Sequence, residues 1–227
     1  MKHIGLLLAV VVGLSGQTPA SPASAPAPMR TIVYQFGYNT KVASSGPNTG
    51  TTTVTIGGTA ADGGTTVSGA DFWWNTVRSR GTNTCEVYPN GNVSCMNRPY
   101  AISPMQLAVF PMLGKNYFKG LSAAGTGTWK RTIAINRGDL YKWTCTFTLQ
   151  GKGPIAGTGG LIKVVSNGTC DQVGGHYRSG TEKGTIVFDP TARIPVIVSD
   201  VRTHLPQTNV YNQDGVELKI NQNTMPK

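Results

Sequence analysis

The clearest periodic stretch of the chain is YKWTCTFTLQ, residues 141–150. Tyr141, Trp143, Cys145, Phe147 and Leu149 alternate there with Lys142, Thr144, Thr146, Thr148 and Gln150. A period of two predicts a half-buried strand with one wet face. Shorter β-prone runs follow the same habit: TIVYQF (31–36), TTTVTI (51–56), GTWKRTIAI (127–135), LIKVV (161–165), GTIVFD (184–189), IPVIVSDV (194–201) and VELKI (216–220). Between them lie turn-rich stretches, ASSGPNTG (43–50), GGTAADGG (57–64) and GKGPIAGTGG (151–160). Pro195 suits a strand start or an edge.

Helical periodicity is confined to ISPMQLAVFPML (102–113), bracketed by Pro104 and Pro111, with room for about two turns. The pattern predicts an all-β domain: a single antiparallel, strongly curved sheet or open barrel of about ten strands, stapled by disulfides. No repeat of fixed period interrupts it.

The staples are read from TCEVYPNGNVSC, residues 84–95. Pro89 pre-sets φ at the first turn position, Asn90 suits the second, and Gly91 takes the left-handed one. That is a three-residue hairpin loop, a type I turn closed by a glycine bulge. Counting outward from Tyr88 and Asn92 brings Cys85 opposite Cys95, at a non-hydrogen-bonded pair where strands approach closely. Cys145 and Cys170 would then pair with each other, although four cysteines allow three connectivities. Closing the 145–170 loop is worth about 3 kcal/mol on the chain-entropy account. Zinc and redox roles fit poorly, since neither pair has metal-ligand spacing and no C-x-x-C occurs.

Ahead of the first strand, Met1-Lys2-His3 leads into IGLLLAVVVGL (4–14), then small residues and prolines. The apolar run is shorter than the roughly 20 residues a bilayer span needs, and its layout is that of a secretory signal peptide over 1–20. Cleavage is expected after Ala20 or Ala23. Residues 21–30 make a Pro/Ala/Ser-rich spacer, and 31–227 the β-sheet domain, of a length that can bury a real core. Export predicts a secreted or periplasmic protein with no transmembrane segment in the mature chain, and it permits disulfides. The sequence leaves oligomeric state open.

The formal net charge of +10 is spread along the chain rather than clustered. Scattered charge favours solubility and attraction to anionic envelope lipid or glycan over nucleic acid, for which no reading motif is present. Catalytic types are few. After the leader the histidines are His176, between turn glycines, and His204, following a strand. Either would serve as a base only with a carboxylate such as Asp171 or Asp200, or a serine, brought near by the fold. No nucleophile elbow or H-E-x-x-H is found. GKGPIAGTGG lacks the lysine-serine/threonine ending and the helix of a phosphate loop. NQDG (212–215) lacks the carboxylates of a calcium loop, so no metal or cofactor is expected. Asn167-Gly168-Thr169 matches a glycosylation sequon.

Aromatic residues are the more suggestive feature. In Phe72-Trp73-Trp74 alternation sends Trp73 to one face and its neighbours to the other. Trp73 or Trp74, with Trp129, Tyr141 and Trp143, are the candidates for lining a ligand cavity on the concave face.

The phrase FPMLGKNYF (110–118), with Phe110, Pro111, Gly114, Lys115 and Tyr117, then the aromatic strand at 141–149 and FDPTARIPVIV (188–198), resembles exported bacterial β-rich domains of unknown function. The similarity spans about 70–200, and that family's usual Val-Pro-Ala-Gly-Thr-Phe phrase is replaced by GTGGLIKVV. It implies a curved sheet like the half-barrels that carry lipids or lipoproteins, and no catalytic residues. The expected function is thus a non-catalytic envelope module binding an apolar or anionic ligand, lipid-like or glycan. Rival expectations are a hydrolase built on His176 or His204 and a purely structural surface component.

Overall fold

A computed structural model describes residues 29–40, 48–74, 78–79, 82–95, 104–137, 141–173, 177–206 and 214–220. The expected signal peptide lies outside the described residues, as does all of the spacer except Met29 and Arg30. The strands are β1 (Arg30–Thr40), β2 (Asn48–Thr59), β3 (Thr65–Trp73), β4 (Arg78–Ser79), β5 (Asn83–Val87) and β6 (Val93–Cys95). They continue with β7 (Thr126–Arg137), β8 (Tyr141–Pro154), β9 (Ile162–Val173), β10 (Tyr177–Asp189), β11 (Ile194–Pro206) and β12 (Asp214–Ile220). All twelve belong to one sheet, ordered β2-β1-β12-β11-β10-β9-β8-β7-β6-β5-β3-β4, with β2 also paired to β3. Of these, β4 is too short, at two residues, for alternation to reveal.

Alternation explains what the long strands bury. On β8, Cys145, Phe147 and Leu149 are buried while Thr144, Thr146, Thr148 and Gln150 are exposed. The strand runs on to Pro154, and the loop expected at 151–160 shrinks accordingly. Outward threonines pair across strands, as in Thr132 with Thr146, whose hydroxyls lie 3.2 Å apart. The hairpin at 88–92 closes through Gly91 N–H to Tyr88 O and Tyr88 N–H to Asn92 O, both at 2.9 Å, with Gly91 at φ 96°. Beyond it Val87 faces Val93 and Glu86 faces Ser94, and a disulfide joins Cys85 to Cys95. A second disulfide joins Cys145 to Cys170, which are register partners on β8 and β9.

The expectation of a purely antiparallel sheet needs correction, because β6 and β7 are parallel. Parallel neighbours require a long crossover. Residues 96–125 supply it, and they carry α1 (Pro104–Val109) followed by a 3-10 turn at Phe110–Leu113. This segment packs on the concave face, where α1 touches β1, β2, β11 and β12. A Cβ at Gly69 of β3 would stand 2.8 Å from the Phe110 ring and 2.9 Å from the Gln106 side chain. The sheet therefore curves round its own crossover. Val109 and Phe110 are fully buried together with Ile32, Val54, Val67 and Ile186.

The crossover leaves the core at what we term the lower end, where β3, β7 and β9 begin. Asn116 N–H donates to Pro89 O at 2.7 Å. The Arg131 guanidinium donates to the carbonyls of Asn116, Tyr117 and Lys119 at 2.7–2.8 Å. Phe118 stacks on Phe188 with ring centroids 4.0 Å apart. Apolar packing and satisfied carbonyls thus seal this end.

Candidate functional site at the upper end of the concave face

The opposite end differs in chemistry. On β10 and β11, Ile186 and its partner Val198 are buried in the core. Counting up both strands by twos keeps to that concave face. The count reaches Gly184 opposite Asp200, Glu182 opposite Arg202, and Gly180 opposite His204. On β12, Arg202 meets Asp214 and Asp200 meets Val216, whose other partner is Tyr38 of β1. Acid, base and acid follow one another across β10, β11 and β12. Oε2 of Glu182 stands 4.0 Å from Sγ of Cys170, a contact with a disulfide sulfur.

Across the concavity, Asp71 of β3 and Thr52 of β2 stand opposite each other. Asp71 is 2 % exposed and Thr52 0 %. Gln106 of α1 donates from Nε2 to Asp71 Oδ1 at 3.3 Å, and accepts at Oε1 from Asn83 Nδ2 at 2.9 Å. Asp71 Oδ2 and Thr52 Oγ1 have no hydrogen-bond partner among the described residues. Each such buried group costs about 1–3 kcal/mol if nothing meets it. Two residues nearer the upper end, Trp73, Gly50 and Phe36 are successive partners on β3, β2 and β1. The Trp73 and Phe36 rings meet edge to face, 5.0 Å between centroids. A Cβ at Gly50 would fall 2.6 Å from the Phe36 ring, so glycine is what lets that ring lie flat across β2.

Tyr34 shares the register of Thr52 and donates its hydroxyl to Pro195 O at 2.9 Å. Burial pushes the Tyr34 phenol far above its ordinary range, and the nearby Arg30 charge offsets this only in part. On the hairpin, the hydrogen bond from Tyr88 to Glu86, then the carboxylate's charge, raise the Tyr88 phenol.

The aromatic candidates divide. Trp73 is buried on the concave face, and Trp143, half-buried, shares its upper end. For Tyr141 the backbone alone is described, opposite Arg137. Trp129 also faces inward, but at the sealed end: its indole N–H donates to Tyr117 O at 3.1 Å, and Gly120 packs on its ring. Trp74 is not on the concave face; it is 47 % exposed on the outside, as Phe72 is at 41 %. The alternation that turns Trp73 inward forces this. His204 lies within β11 rather than after it, and His176 lies outside the described residues.

Asp71, Thr52, Asn83 and Gln106 were not among the residues singled out from sequence. A signal was present: Asp71 is a lone acid in phase with Val67 and Trp73, and Thr52 is in phase with Val54. Among the described residues no cluster of His, Cys, Asp and Glu has the makings of a metal site, and no helix is long and apolar enough to cross a membrane. No protein-family model matches the chain, and neither a curated protein nor a solved structure matches it.

Proposed function

We propose that this chain is an exported, non-catalytic binding domain that takes its ligand at the upper end of the concave face. One observation carries the proposal: the two ends of that face are built differently. The lower end is filled by the 3-10 turn, residues 114–125 and aromatic side chains, with α1 above them reaching β12 and Asp71. The upper end collects Asp71, Glu182, Asp200 and Asp214 at concave register positions, four of the ten acids in a chain of net charge +10. Asp71 among them is 2 % exposed, and burying a carboxylate is costly unless a partner or ligand meets it. Pairing of β2 with both β1 and β3 supports a barrel closed round the crossover helix. Two disulfides suit the oxidising compartment that export would deliver.

This reading moves the ligand class from apolar toward polar, because the apolar half of the concavity is occupied by the chain's own segment. The anionic partner keeps a place on the outer face, where Lys130, Lys163 and Lys183 are exposed. The hydrolase alternative draws less support from the register. His204 stands four residues from Asp200 on β11, about 13 Å of strand, and Ser166 reaches the Asp200 position only across β10. Native mass spectrometry of chain exported by its own host tests the proposal. A small polar molecule retained by the folded chain is the expected result. Chain that stays bare, from the host and after incubation with host extract, contradicts it.

A further inference from the structure

We infer that Asp71 and Thr52 form the floor of a recognition site for a primary ammonium group on a small organic molecule. This rests on the upper-end binding reading and names its ligand chemistry. Asp71 Oδ2 and Thr52 Oγ1 belong to directly opposed residues, both at least nine-tenths buried and both without a partner among the described residues. No described cation pairs with Asp71, although the chain holds 20 lysines and arginines. Its other oxygen takes a neutral amide hydrogen from Gln106, which Asn83 in turn holds in place. What is missing is a positively charged hydrogen donor.

A primary ammonium supplies three donors on a compact charge. Asp71 Oδ2 takes one and Thr52 Oγ1 another, while the edge-to-face pair of Phe36 and Trp73 stands two residues further along the same strands, an aromatic wall beside the positive charge. A divalent metal suits the place poorly. Calcium and magnesium want about six oxygens or more, and two are on offer. A neutral hydroxyl would satisfy Thr52 but leave the carboxylate without its counter-charge. The third ammonium hydrogen points away from the floor, toward whatever the ligand carries at the upper end.

The test is calorimetric titration of the full, disulfide-bonded chain with n-butylammonium, against butanol and tetramethylammonium as controls. Saturable heat with butylammonium is expected, with weaker heat for tetramethylammonium, which lacks N–H donors, and none for butanol. Asp71→Asn should weaken butylammonium at least about tenfold, the loss of a charged hydrogen bond. Thr52→Val, nearly equal in size, should weaken it about threefold or more; it carries the test if Asp71→Asn fails to fold by circular dichroism. Titration with phosphatidylethanolamine vesicles against phosphatidylcholine vesicles then shows whether a lipid head group also reaches the floor. Absence of butylammonium binding at about 10 mM, or unchanged affinity in a folded variant, overturns the inference and leaves a bridging water at this place. A retained host ligand lacking an amine would overturn it too, while leaving the binding reading intact; persistently bare chain defeats that reading itself.

Discussion

Tyr34 shows what one buried polar group does to the whole molecule's response to pH. Its phenol stays protonated in the folded chain well beyond the value near 10 at which an unfolded tyrosine loses its proton. Below that value both states hold the proton and Tyr34 adds no pH dependence. Above it the unfolded chain binds fewer protons than the native one, so stability falls as pH rises, by about 1.4 kcal/mol per pH unit from this group. Denaturant midpoints of wild type and Tyr34→Phe, measured from pH 8 to about 11, should converge at the alkaline end. The variant loses the bond to Pro195 O, about 1 kcal/mol at neutral pH, but is spared the alkaline slope. Parallel curves would show that the Tyr34 hydroxyl is not held in apolar surroundings. Gly120 offers a second test. A Cβ there falls 2.4 Å from the Trp129 indole, so Gly120→Ala should destabilise by about 1–3 kcal/mol in thermal unfolding.

At the scale of elements, the parts readable from sequence are those whose cause is local. Tyr88 to Asn92 dictates its turn through Pro89, Asn90 and Gly91, and the turn sets the register that brings Cys85 to Cys95. The alternation at 141–150 likewise needs nothing beyond its own residues. β4 was illegible because two residues carry no period. The parallel joining of β6 to β7 depends on where a distant segment travels, which no local pattern encodes. The Asp71 site was hidden for the same reason: its amide partner comes from α1, and its opposite number from β2. Two variants test the element-level account. Removing the bridge between β8 and β9 with Cys145→Ala and Cys170→Ala together should cost about 3 kcal/mol in urea unfolding. Gly69→Val should unseat α1 through the Phe110 and Gln106 side chains, costing about 1–3 kcal/mol. Its near-ultraviolet circular dichroism should change while the far-ultraviolet strand signal persists; an unaltered near-ultraviolet spectrum with wild-type stability would mean that β3 does not support the helix.

For the molecule as a whole, the sheet's curvature and its filling are one event. A sheet with a buried inner face must cover that face, and here the crossover required by the parallel pair covers it from the lower end up to Asp71. Above Asp71 lie the Phe36–Trp73 pair and the acidic register positions of β10, β11 and β12. This arrangement requires that α1 be enclosed by the sheet, a condition that native-state hydrogen exchange reads at the helix amides themselves. A helix of six residues has almost no stability of its own in water. Slow exchange at Ala108, Val109 and Phe110, with opening free energies close to those of β1 and β2, is the result expected of an enclosed helix. Exchange of those three amides at free-peptide rates, while the β1 and β2 amides remain protected, would contradict it.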